Sequence, residues 1–62
     1  MLISIYAVNQ ATDEETLESS GVALGDILDD YEEIAEITAE LEARGSYYYG
    51  GGAAQMFLFR TE

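Results

Sequence analysis

Thirteen carboxylates are the groups in this chain best able to do chemistry, and seven of them, Asp26, Asp29, Asp30, Glu32, Glu33, Glu36 and Glu40, crowd into residues 26–40 of the stretch DILDDYEEIAEITAELE. Paired carboxylates act as acid and base when a cleft holds them in unlike environments and drives their pKa values apart. These acids belong instead to a face that patterning assigns to solvent, so no catalytic residue and no enzymatic activity are expected. The chain has no histidine and no cysteine, which removes imidazole bases, thiol nucleophiles, disulfides and zinc sites built on those ligands. Calcium needs a D-x-D-x-D-G type of loop that wraps the ion, and none is present, so neither a metal nor another cofactor is expected. Gly50-Gly51-Gly52 lacks the G-K-[ST] continuation of a phosphate loop and reads as a turn. Tyr47, Tyr48 and Tyr49 are strand formers, with Tyr48 facing away from its neighbours; the alternative is that one or two stay exposed beside the acids and stack on a partner's arginines.

The element that must carry most of these acids is a long helix. At 3.6 residues per turn, Leu24, Ile27, Tyr31, Ile34, Thr38 and Leu41 form one stripe, with Leu28 and Ala35 alongside. Asp26, Asp29, Glu32, Glu33, Glu36 and Glu40 fall on the opposite face, within roughly a third of the circumference at about 100° per residue. No lysine interrupts them, and the pairs 26/30, 29/33, 32/36 and 36/40 all repel, at a cost of about 0.2–0.5 kcal/mol each. The plain reading of such a run is a solvated helix face that keeps a small protein soluble. The sharper one is geometric: at a rise of about 1.5 Å per residue the seven acids give about one charge per 3 Å, near the ~3.4 Å per phosphate of one DNA strand.

The rest of the chain supplies a sheet. Leu2 to Val8 fits a pleated strand that is apolar on both faces. Thr12 and Glu15 form a T-x-x-E signature that predicts a short helix, TDEETLESS, closed by Gly21 and adding Asp13, Glu14 and Glu18 to the acidic surface. The main helix then starts at Val22 or only at Asp26, with Ser20 and Gly25 as the alternative N-caps, and ends at Arg44, with Gly45 as its left-handed cap. Ser46–Tyr49 and Gln55–Arg60 read as strands joined through the glycines. The expected fold is α+β: one domain spanning residues 1–62, in the order β-α-α-β-β, with a three-stranded, mainly antiparallel sheet and the long acidic helix packed on it. Because the strands are apolar on both faces, the second face wants cover from another helix or another chain.

Composition narrows the partner. Two arginines against thirteen acids give a net charge of −11, which argues against direct binding to nucleic acid or to anionic membranes and for a basic partner. An apolar fraction of 48% is too high for a disordered acidic tail. Sixty-two residues bury little core, so a partner or self-association, as monomer or homodimer, would add stability. The opening MLISIYAV has no basic region and is too short to span a bilayer, so neither a signal peptide nor a membrane anchor is expected.

A very short, cysteine-free, strongly acidic α/β chain dominated by DILDDYEEIAEITAELE resembles the small phage-encoded anti-CRISPR proteins, in particular those that act as DNA mimics against type I effector complexes. The likeness is one of size, charge and architecture over the whole chain, and the site residues named above come from charge geometry. It implies a non-enzymatic inhibitor in the cytoplasm of a bacterial host, occupying a basic surface of a CRISPR effector subunit that otherwise reads or guides DNA. The alternative, from a different class, is a small interaction module, antitoxin-like or a phage accessory protein, whose acids only confer solubility.

Overall fold

A computed structural model describes all residues, 1–62, as one antiparallel sheet with one α-helix across it. The elements in chain order are β1 (Ile3–Val8), β2 (Glu15–Val22), a single 3-10 turn (Leu24–Asp26), α1 (Tyr31–Arg44), β3 (Ser46–Gly50) and β4 (Met56–Thr61). The strands lie in the order β2-β1-β4-β3, so the two strands richest in apolar residues are central and the edges fall to β2 and β3. The class is α+β, as expected, but the sheet has four strands rather than three and there is one α-helix rather than two.

The missing helix is β2. Thr12 does not cap a helix: its hydroxyl accepts the N–H of Glu14, two residues on, at 3.4 Å. The Asn9 carbonyl accepts the N–H groups of Thr12 and Asp13, Asp13 takes a left-handed backbone (φ 62°), and the Asn9 N–H closes the hairpin onto the Glu14 carbonyl at 2.8 Å. Tertiary pairing overrides the local signature here. A helix from Thr12 to Ser20 would anchor itself through Leu17 alone, whereas a strand satisfies the free edge of β1 along most of its length. Gly21, expected to end that helix, instead takes φ 64° near the end of β2.

The main helix is shorter than its periodicity suggests and starts at Tyr31. Asp30, in extended backbone, accepts the N–H groups of Glu32 and Glu33 at 2.9 and 3.3 Å, the geometry of an N-cap. The end falls where expected: Gly45 at φ 79° donates to the Leu41 carbonyl at 2.8 Å. With the start moved, the buried stripe is Ile34, Ile37, Thr38 and Leu41, and Ile37 (1% exposed) replaces Tyr31 (87% exposed) as an anchor. Ala35 and Ile27, placed on or beside the stripe by the sequence, are also exposed.

The core sits between α1 and one face of the sheet. Ile3, Ile5 and Phe59 from the sheet meet Ile37 and Leu41 from the helix and Leu24 from the 3-10 turn, with Tyr47, Tyr49 and Phe57 packed around them. The Tyr49 and Phe59 rings stack at 5.3 Å. The hairpin from β3 to β4 needs its glycines: Gly50 has φ 88°, and a Cβ there would lie 2.3 Å from the Gln55 carbonyl oxygen. No helix is long and apolar enough to cross a membrane.

Candidate acidic interface

The helix carries four of the nominated acids on one flank. Capping by Asp30 fixes the start of α1, and from there Glu32, Glu33, Glu36 and Glu40 fall within about 100° of arc at about 100° per residue. Glu32 and Glu36 are exposed, while Glu33 and Glu40 are half-buried at the border with the core. Over a helical rise of about 12 Å these four charges recur about every 4 Å, close to phosphate spacing along one strand. Glu40 pairs with Arg44 one turn on at 3.2 Å, and both line a shallow groove with Ser46, Tyr47 and Tyr48, which places this flank at the β3 edge of the sheet.

Asp26, Asp29 and Asp30 do not extend that row. They lie in the exposed segment before the helix, so the repulsive pairs 26/30 and 29/33 of a longer helix do not form, and the Asp30 side chain is engaged as the cap. The acids of β2 are at the opposite edge. Glu14 and Glu18 share a polar groove of about 440 Å³ with Asn9, Gln10, Thr16 and Gln55, and Glu18 also borders an apolar groove of about 360 Å³ with Ile27, Leu28 and Phe57. Asp13 points the other way, sharing a groove with Val8, Tyr48 and Met56 on the face of the sheet that the helix does not cover. The ten nominated acids therefore form no single line. Glu32, Glu33, Glu36 and Glu40 make one row, and Glu14 and Glu18 make a second across the sheet, with the β2 and β3 edges about 14 Å apart at about 4.8 Å per strand interval.

The electrostatics are those of a largely uncompensated surface. Only two ion pairs form, Arg44–Glu40 and Arg60–Glu15 at 3.6 Å, so eleven of the thirteen carboxylates have no cationic partner within the chain. No three acids converge as metal ligands. Glu62, which is not among the acids named from the sequence, is held below the usual carboxylate range chiefly by the backbone N–H of Gly21, and also by the Ser4 hydroxyl at 2.8 Å. An acid held ionised in this way is a structural acceptor rather than a proton donor.

Two features escaped the sequence reading. The D-x-x-E signature of a helix start stands at Asp30–Glu33, inside the longer apolar stripe. Arg60, whose guanidinium lies 5.6 Å from the centre of the Tyr6 ring and close to Glu15, depends on cross-strand register and had no local signal. No family model matches the chain, and no curated protein or solved structure is similar to it.

Proposed function

We propose that this protein is a non-enzymatic inhibitor that presents its carboxylates, in place of DNA phosphates, to a basic nucleic-acid-binding surface of a host defence protein, with a CRISPR effector subunit as the target its size, charge and architecture suggest. The observation that carries this reading is the set of eleven unpaired carboxylates, four of them on the α1 flank or at its capped start in company with Glu14 and Glu18 across the sheet. Two acidic rows on opposite flanks of the molecule suit a surface that grips both strands of a duplex. Steering by a field of this sign makes association fast and strongly salt-sensitive.

The test is binding to a purified type I effector complex, with target DNA as competitor. Affinity should fall at least tenfold between about 50 and 200 mM salt, as for multi-phosphate contacts. The double reversal Glu33→Lys, Glu36→Lys should lower it by at least as much, and DNA should displace the protein. Affinity indifferent to salt, to the reversals and to DNA would reject mimicry. The second reading, an interaction module whose acids serve solubility, is favoured by a separate observation, the apolar sheet face that the helix leaves open. In that case substitutions at Tyr48 abolish binding and the reversals do not.

A further inference from the structure

From the open face of the sheet we infer a second binding surface, and its occupant is a second copy of this chain. Alternation along the strands sends Tyr6 and Val8 of β1, Leu17 of β2, Tyr48 of β3, and Met56 and Leu58 of β4 away from α1. Leu58 at its centre and Val8 toward one end are almost fully buried, yet neither belongs to the cluster under the helix. Around them Leu17 and Tyr48 stand 55% and 56% exposed. This is a hydrophobic patch with a shielded centre and protruding apolar side chains, the arrangement of a docking surface rather than of a solvated sheet face.

Charge selects the occupant. Of the carboxylates on this face, Glu15 is paired with Arg60 at 3.6 Å, and only Asp13 and Glu62, at its rim, have no cationic partner. Glu18 borders the helix-side groove, and Glu32, Glu33, Glu36, Glu40 and Glu42 belong to the helix layer. A basic partner has only the rim carboxylates Asp13 and Glu62 to meet here, whereas a copy of the chain meets an apolar centre like its own. In a two-fold sandwich with sheets about 10 Å apart, the two helix layers stand about 30 Å from each other, several times the ~8 Å screening length of physiological salt. Edge-to-edge pairing is disfavoured, because β2 carries register shifts and a positive-φ Gly21, and β3 is only five residues long. Four strands of about five residues have a footprint of roughly 330 Å² per copy, so about 650 Å² in all before side-chain relief is counted, the size of a weak interface.

This inference stands apart from the inhibitor reading, and salt separates the two: screening weakens binding to a basic partner but strengthens association of two like-charged copies. The experiment is sedimentation equilibrium of the full chain, up to about 200 µM, in about 50 and 500 mM NaCl. Association toward twice the 6.8 kDa chain mass, tighter at the higher salt, is expected. Leu17→Glu and Tyr48→Glu should each weaken it about tenfold or more. Both sites are more than half exposed, so circular dichroism should show the variants folded, and Tyr48→Gln repeats the test without added charge. Glu36→Lys should leave the dimer intact. A monomer at both salts, association that salt weakens, or a dimer lost through Glu36→Lys but kept in the face variants would overturn the proposal.

Discussion

The two faces of this sheet are made by the same four strands, yet they differ in almost every property that matters for function. Toward α1, Ile3, Ile5 and Phe59 enter a core closed by Ile37 and Leu41, and the outer surface of that layer collects most of the carboxylates. Away from α1, the intervening residues form an uncovered patch on which Arg60 pairs with Glu15 and the unpaired carboxylates stand only at the rim. Alternation alone produces the division: a one-residue slip of β4 against β1 would exchange Phe57 and Phe59 for Leu58 and Arg60 and send the arginine into the core. The difference teaches that the charge of −11 is not spread evenly over the molecule. One side carries most of the long-range field, and the other presents apolar side chains.

The comparison can be broken hardest at the core. Ile37→Ala should cost about 2–5 kcal/mol, a large share of the roughly 3–9 kcal/mol that a 62-residue domain commands, and should lower the urea midpoint accordingly. Leu17→Ala on the open face, measured at low micromolar concentration where the chain is monomeric, should change stability by no more than about 0.5 kcal/mol. Equal losses would mean that the open face is part of the folding core and not a separate surface. Next in size is the hinge between β3 and β4. Gly50→Ala combines a positive φ with a clash against the Gln55 carbonyl and should cost about 2 kcal/mol or more, seen as a lower thermal midpoint.

The helix-bearing side was partly legible in the sequence, and the open face was legible as a need. Strand alternation located β1, β3 and β4, placed Tyr48 opposite Tyr47 and Tyr49, and implied that both sheet faces want cover. Gly45 and the glycine turn were also readable, because their backbone demands are local. What failed was non-local. Thr12–Glu15 satisfies the local rule for a helix start, and only the vacant edge of β1 decides that the segment becomes a strand. The acidic row was overextended for a related reason: a stripe begun at Leu24 predicts one continuous helix, while the Asp30 side chain starts it at Tyr31 and shifts its buried centre onto Ile37.

That shift can be sharpened at Asp30. Asp30→Ala should remove the cap and cost about 1 kcal/mol, with some loss of helical circular dichroism. Asp30→Asn keeps an accepting oxygen and should be nearly neutral for stability while removing one negative charge. If the asparagine variant proves as unstable as the alanine one, the cap acts through its charge near the helix dipole rather than through its hydrogen bonds.

The smallest effect concerns the point where the two sides are stitched together. The Glu62 carboxylate accepts from Gly21 at the end of β2 and from Ser4 on the open side of β1, and these bonds hold its pKa below the ordinary 4.5. A depressed carboxylate pKa means that the unfolded chain takes up the proton first as pH falls. Its contribution is therefore fully present above about pH 4.5 and disappears as pH drops through the lower, folded-state value. Glu62→Gln should be slightly less stable than the unaltered chain at pH 7, and the gap between their urea midpoints should close on acidification toward pH 3. A gap that stayed constant across that range would show that the ionised carboxylate is not what fastens β2 to β1, leaving the antiparallel ladder alone to hold the acidic edge in place.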